Sequence, residues 1–429
     1  LPTPTPASTP ASTPTPAPTL SPAAKGKAAA QLFSHKAKGS SKTTVWEPLV
    51  LNVSGHFVIH HELRLFGFSA TGKKKWQREI PEGKGDDNQS AHTVNLSTPS
   101  DTLIVTYKKP VGKSSIWPAP RVVEALDPAT GRTLWKATSS WGATYGHIGL
   151  DDTVYTSACR GTQTGKRDEC RLSARDPRTG RVRWTVPTGQ VPSIVTGDAT
   201  TLVLTTLPRG YRGNSWLTAL DKRTGARLGL HVAIPRFAGR AVTDYSSRTY
   251  LKGRTVAVTL SRANAEAERC DYVAAGRDVR TGDRVWRAAW RDPGCDHDRF
   301  SGSSAIPAVT ADGKLTLRDP ATGKIVWKGA VSGRVVTLDG RDVLVDSSEG
   351  LKLYGKARTW TLPDRPPGLP LLTRRRVLLA GQQETLVHDR RTGKLIASAK
   401  GDHAGAGDGW VATFGHNGDG TTTFVIYRV

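Results

Sequence analysis

Carboxylates gathered in loop-like stretches, Asp86, Asp87, Asp292, Asp296 and Asp298, have the groups for general acid–base work if two of them meet around a cavity. A second candidate is His60-His61-Glu62: on a strand His60 and Glu62 share a side, the start of a metal set. No further His follows at ligand spacing, so solvated strand residues are the plainer reading. The stretches 401–409 (GDHAGAGDG) and 416–421 (HNGDGT) are rich in oxygen donors but lack EF-hand spacing, and Asn417-Gly418 with Asp419-Gly420 is ordinary hairpin chemistry. There is no adjacent cysteine pair and no C-x-x-C-H. These residues assign no catalytic group, no metal and no cofactor.

The four cysteines are Cys159 and Cys170, and Cys270 and Cys295. In an extracytoplasmic protein they read as two local disulfides, 159 with 170 and 270 with 295, each stabilising by about 3 kcal/mol. Zinc is the rival reading, but the first pair has no metal-ligand spacing. Long insertions also carry Trp117, Tyr211, Trp216, Trp290 and Phe300, side chains of the kind that anchor interfaces. Local packing of their own loops is the competing account.

What must position these groups is a repeated ten-residue frame. Leu126 to Trp135 carries Asp127, Gly131 and Trp135; the same register holds Asp176, Gly180 and Trp184, then Asp278, Gly282 and Trp286, then Asp319, Gly323 and Trp327. Asp accepts from the N–H groups ahead of it and Gly takes the left-handed position, so each copy is a tight turn between two strands. Weaker copies centre on Gly72, where Phe68 replaces the Asp, and on Gly225 and Gly393, which lack the Trp; a degenerate one runs from Leu353 to Trp360.

The D-x-x-T-G-x-x-x-W frame resembles the tryptophan-docking motif of the pyrroloquinoline-quinone-like β-propeller repeat, a family that includes quinoprotein alcohol dehydrogenases and the outer-membrane assembly lipoprotein BamB. The resemblance spans residues 45 to 429. It implies an all-β chain folded as a single propeller of four-stranded antiparallel blades (A to D), with the motif tryptophans docked between blades as structure and not as ligands. It does not imply activity, because the family holds both enzymes and scaffolds. A quinoprotein dehydrogenase binds its cofactor against a vicinal disulfide, with a calcium ligated by Glu and Asn and an Asp as base. This sequence has no vicinal cysteines.

Seven copies and the degenerate one predict eight blades, with seven as the alternative, taking the unit around Ser303 to Trp327 as incomplete. Ring closure is expected to mix strands from both ends, the N-terminal one being Thr43 to Val53 with Trp46 in the docking position. The Asp-Thr-Gly hairpin joins C to D in each repeat, so these turns share one face with the A–B turns. The long insertions, at Pro81 to His92, Ala288 to Ser303, Lys108 to Arg121, Cys159 to Arg171, Pro208 to Trp216 and Ser261 to Asp271, gather on the other face.

Residues 1–42, rich in Pro, Thr, Ser and Ala with five lysines, read as a disordered basic linker, and 43–429 as the propeller domain. No stretch reaches the ~18 apolar residues of a membrane span. The chain begins at Leu1 and has no Met, so an upstream signal, lipid anchor or membrane helix is expected, and membrane contact only through it. A cytoplasmic linker before a sensor propeller is the alternative. The net charge of +24 favours acidic partners. Nucleic acid is not favoured: the compact cluster Arg374-Arg375-Arg376 lacks interleaved aromatics. The expected function is an extracytoplasmic, tethered scaffold that binds a protein or an anionic envelope polymer through the long-loop face. A channel-centred enzyme and a polyanion binder are the alternatives.

Overall fold

The structure, a computed structural model, describes residues 27–38, 49–81, 95–108, 121–139, 152–160, 169–207, 215–237, 246–264, 269–292, 305–309, 314–330, 334–339, 342–347, 350–355, 358–362, 370–373, 375–381, 383–407 and 409–429. The chain enters through β1 (Lys27–Ala28) and β2 (Ala30–Lys38). Blade 1 is β3 (Leu49–Val53), β4 (His56–His61), β5 (Arg64–Phe68) and β6 (Lys74–Glu79). Blade 2 is β7 (Asn95–Ser97), β8 (Leu103–Lys108), β9 (Arg121–Leu126) and β10 (Thr133–Ser139). Blade 3 shows β11 (Val154–Arg160), β12 (Glu169–Arg175) and β13 (Val182–Pro187). Blade 4 is β14 (Val191–Gly197), β15 (Thr201–Leu207), β16 (Trp216–Asp221) and β17 (Arg227–Ala233). Blade 5 is β18 (Ser246–Lys252), β19 (Thr255–Asn264), β20 (Arg269–Asp278) and β21 (Arg284–Asp292), and blade 6 shows β22 (Ile306–Val309), β23 (Lys314–Arg318) and β24 (Ile325–Ala330). Blade 7 is β25 (Arg334–Asp339), β26 (Asp342–Ser347), β27 (Gly350–Gly355) and β28 (Arg358–Leu362). Blade 8 is β29 (Pro370–Leu372), β30 (Arg376–Ala380), β31 (Glu384–Asp389) and β32 (Leu395–Lys400), with β1 added as a fifth strand; blade 9 is β33 (Asp402–Gly407), β34 (Trp410–His416), β35 (Thr421–Arg428) and β2.

Among the described residues nine sheets therefore stand where the motif count predicted eight blades or seven. Two features of the sequence caused the undercount. Blade 9 joins its C and D strands through the two ends of the chain, so it carries no Asp-Thr-Gly turn to count. Blade 6 shows three strands among the described residues, yet it fills its own place in the ring. One face meets blade 5 through Ile306 against Tyr250 and Ala257, and the other meets blade 7 through Leu315 and Leu317 against Val343 and Val345.

The core has the same periodicity. It is divided into nine apolar clusters among the described residues, one at each joint between neighbouring blades. Because each sheet is covered on both sides, the central B and C strands are apolar almost without interruption: all six residues of β9 are buried. The outer D strands alternate instead, as in β6 and β13, where the motif Trp is the one buried residue. A strands of neighbouring blades approach each other at the inner rim, β3 beside β33, β14 beside β18 and β25 beside β29.

Closure does mix the chain ends, but through a different segment from the one expected. β2 pairs antiparallel with β35, from Ala30 opposite Arg428 to Lys38 opposite Thr421. That strand lies within the 1–42 stretch assigned to linker, and Leu49–Val53 is instead strand A of blade 1. Trp46 lies outside the described residues. Phe33 fills its predicted role: it packs on the Gly72 turn of blade 1 and stacks with Phe68 at 5.1 Å.

Candidate functional site

The C–D turns are built from residues that satisfy one another. In the second blade the Asp127 carboxylate accepts from the N–H groups of Ala129 (2.8 Å) and Thr130 (3.2 Å), the Gly131 N–H donates to the Asp127 carbonyl (2.8 Å), and Gly131 sits at φ +69°. Asp176, Asp221, Asp278, Asp319 and Asp389 repeat the arrangement. Burial would raise the Asp176 carboxyl, but the Thr179 N–H, the Arg183 guanidinium and the Thr179 hydroxyl outweigh it and hold the group at about 2.

The indole of each docked Trp lies against the next blade's turn glycine and donates its N–H to a carbonyl there. Trp76 reaches Pro128 (2.9 Å), Trp135 reaches Pro177 (2.6 Å), Trp184 reaches Lys222 (2.9 Å), Trp286 reaches Pro320 (2.9 Å) and Trp360 reaches Arg390 (3.1 Å). A Cβ on Gly131, Gly180, Gly225, Gly323 or Gly393 would run into these rings, so glycine is required by contact as well as by φ. Trp327 instead packs edge-on against Tyr354. In blade 4 the Trp position holds Gly229, and the backbone itself closes the joint: the Leu230 N–H donates to the Val279 carbonyl at 3.0 Å, and a Cβ at Gly229 would collide with the Arg280 carbonyl.

Sequence reading missed the residue before four of the six motif Asp residues. Arg175, Arg277 and Arg318 donate to the carbonyls of Gly180 (3.0 Å), Gly282 (2.7 Å) and Gly323 (2.9 Å), and His388 Nδ1 lies 3.0 Å from that of Gly393. The signal was present: a long cation or imidazole recurs immediately before the motif Asp. Also missed was Glu124, buried to 2 % exposure on β9, which takes Arg78 at 2.6 Å, the Thr133 hydroxyl at 2.7 Å and the Tyr107 hydroxyl at 3.0 Å. It ties blade 1 to blade 2, and its donors saturate it.

The opposite face begins where the B strands end and the C strands start: Lys108 opposite Arg121, Arg160 opposite Glu169, Thr206 opposite Trp216, and Asn264 opposite Arg269. Of the five aromatics assigned to this face, Trp117, Tyr211 and Phe300 lie outside the described residues, as do most of the six insertions. Trp216 and Trp290 are described, and both are half-buried in stacks. Trp216 lies flat on His231 (centroids 4.6 Å apart, planes 11° apart), and the His231 ring is fixed by Thr218 Oγ1 at 2.9 Å from Nδ1. Burial, then the Arg227 charge, lowers the His231 pKa. Trp290 lies flat on Tyr272, directly opposite it in register (5.4 Å, 6°), with the Arg318 guanidinium of blade 6 over its ring at 6.0 Å and its own indole N–H buried without a hydrogen-bond partner. These stacks stand on adjacent blades at the same end of the strands. They offer planar, partly exposed contact area held rigid beforehand.

Cys159 faces Cys170 directly across the β11–β12 ladder. Cys170 and Cys270 are buried, and no described cysteine is a free thiol; Cys295 lies outside the described residues.

His60 and His61 are not solvated as expected but buried: His61, on the side of Ile59, is covered by blade 9, and His60, on the side of Val58 and Leu65, faces the joint with blade 2. His61 Nε2 and His416 Nδ1 both lie 3.1 Å from Thr422 Oγ1, and His35 on β2 packs over Phe66 and Phe68. Burial lowers His60 to about 4, and burial with the Lys74 and His61 charges lowers His35 to about 4. No group of three or more His, Cys, Asp or Glu able to hold a metal occurs among the described residues. Residues 402–407 form strand β33, and the Asn417 to Gly420 stretch is a hairpin turn in which Asp419 accepts from the Thr421 N–H. Asp86, Asp87, Asp296 and Asp298 lie outside the described residues, and Asp292 ends β21 opposite Cys270. No described helix is long and apolar enough to cross a membrane.

No curated protein sequence matches this chain. Among solved structures it is similar to BamB from Moraxella catarrhalis (14 % identity, 91 % of this chain and 99 % of that one, TM-score 0.39). It is also similar to apo AztD from Citrobacter koseri (11 %, 83 % and 95 %, TM-score 0.42) and to a europium-containing methanol dehydrogenase (13 %, 88 % and 81 %, TM-score 0.31). Similarity at this level concerns the fold alone. The family described as outer membrane protein assembly factor BamB matches residues 120–266 and 271–406, more than half of the sequence. The chain belongs to this BamB family of pyrroloquinoline-quinone-like β-propellers.

Proposed function

We propose that this chain is a non-catalytic binding propeller of the extracytoplasmic space, tethered through its Pro-Thr tract, that recognises a protein partner through the face carrying the B–C and D–A connections. The observation that carries the reading is the pair of flat aromatic stacks, Trp216 on His231 in blade 4 and Tyr272 on Trp290 in blade 5, each near the end of the strands from which the long connections leave. Stacked, half-buried aromatics lose little conformational freedom on binding and supply large contact areas. The family description, an outer membrane assembly factor, supports the location. Disulfides joining Cys159 to Cys170 and Cys270 to Cys295 belong to the same proposal; they stiffen loops rooted in this face.

The test is capture of partner from an envelope extract by the full chain and by a Trp216→Ala/Trp290→Ala double variant. The melting temperature of the variant should stay within a few degrees of the parent while capture falls at least about ten-fold, as for loss of interface anchors. Undiminished capture by the folded variant contradicts the proposal.

A further inference from the structure

The chain demonstrates on itself what the rim of this propeller can hold. β1 runs parallel along the outer edge of β32, with Lys27 opposite Ala397 and Ala28 opposite Ser398, and the Ala29 N–H donates to the Ser398 carbonyl at 3.0 Å. A D strand ends its sheet with a row of unpaired N–H and C=O groups, a template for one more strand. β32 reads Leu-Ile-Ala-Ser-Ala-Lys, and its outer edge is covered by the N-terminal segment.

β24 has a similar apolar character and ends its sheet with no strand on its outer side among the described residues. Ile325 is 47 % exposed and Val326 58 %, and no other D strand among the described residues exposes two large apolar side chains in succession. On an edge strand this is what natural sequences avoid unless the edge is used. Exposed basic residues flank the strip on the same chain segment, Lys324 before it and Lys328 after it.

We propose that the outer edge of β24 accepts an extended segment of a partner protein as an added strand, with β-branched side chains opposite Ile325 and Val326 and a carboxylate opposite Lys328. Val326 is the extra residue of a β-bulge between the Ile325–Arg318 and Trp327–Leu317 pairs, so Ile325 and Val326 are exposed in succession and Lys328 is the next exposed residue along the strand. Main-chain hydrogen bonds supply affinity and the side chains supply choice. A second copy of the N-terminal segment is disfavoured here, because Lys27 would approach Lys324 or Lys328. This site is on the rim and does not depend on the aromatic face.

The probe is a labelled, acetylated octapeptide alternating Glu or Thr with Val, titrated against the full chain by fluorescence anisotropy, with amide exchange as a second readout. Expected are saturable binding, slower exchange confined to 325–330, and about ten-fold or greater weakening by Val326→Lys, a change at an exposed position that leaves the melting temperature unchanged. The same peptide N-methylated at alternate amides, and a version with Lys in place of Glu, should each bind at least about ten-fold less tightly. The proposal is overturned by absence of saturable binding, by equal binding of the N-methylated or the Lys peptide, by protection elsewhere on the chain, or by unaltered affinity of the Val326→Lys variant.

Discussion

The two faces of this propeller use the same strands to opposite ends. At the C–D end the same groups meet the same partners blade after blade: an Asp carboxylate on two N–H groups, a glycine at positive φ, and, wherever a Trp is docked, an indole N–H on the next blade's carbonyl. At the B–C end nothing repeats. Blade 2 turns there at Lys108 and Arg121, blade 3 at two facing cysteines, blade 4 at a Trp on a His, and blade 5 near a Trp on a Tyr. A group whose bonding is completed inside the scaffold has little left for a ligand. Repetition therefore marks what holds the ring, and its interruption marks where a partner can be chosen.

The largest expected effect on that contrast comes from Trp184, 8 % exposed and hydrogen-bonded across the joint to blade 4. Trp184→Ala should cost about 3–5 kcal/mol in chemical denaturation, whereas Trp216→Ala, on the other face, should cost clearly less. Equal losses would erase the distinction. Gly225→Ala comes next: φ +75° and the Trp184 ring beneath it both oppose a side chain, and about 1–3 kcal/mol should be lost. Asp221→Ala removes three turn hydrogen bonds at a partly exposed carboxylate and should cost under about 1.5 kcal/mol by the same measurement.

The smallest effect separates the turns from the buried histidines of blades 9 and 1 by pH. His35 and His60 are held at about 4, below the ordinary 6.5, so the unfolded chain takes up protons first as pH falls. Their contribution is complete above about pH 6.5 and is lost as pH falls toward 4. Asp176, held at about 2, keeps its contribution down to the ordinary carboxylate range and loses it only as pH falls from there through 2. The melting temperature should therefore decline by a few degrees between pH 6.5 and 4, and His35→Gln should flatten that decline while Asp176→Asn leaves its slope intact.

Much of this was legible in the sequence, for identifiable reasons. A turn that needs φ > 0 and an indole resting on the residue at that position admits glycine and little else, so Gly131, Gly180, Gly225 and Gly323 announce their blades. The ninth blade was obscured because its connection is broken by the chain ends and because Phe33, in a strand adjoining a Pro-Thr tract, stands in for the Trp. The buried histidines misled for a related reason: His61 is covered by β35, which is far away in sequence, and His60 by the joint with blade 2. Of the aromatic face, the types and positions of Trp216 and Trp290 were readable, but their stacking partners were not, since His231 and Tyr272 meet them only through strand register.

The central claim, that partners are chosen on the B–C face and not at the repeated turns, is tested most directly by placing a photo-reactive amino acid at one position at a time in the full chain. Positions 216 and 290 sample one face, and 178 and 223, within the turns of blades 3 and 4, sample the other. Illumination in an envelope extract should give a discrete protein adduct from 216 and 290 and none from 178 or 223. Adducts formed from 178 and 223, with 216 and 290 silent, would contradict the account.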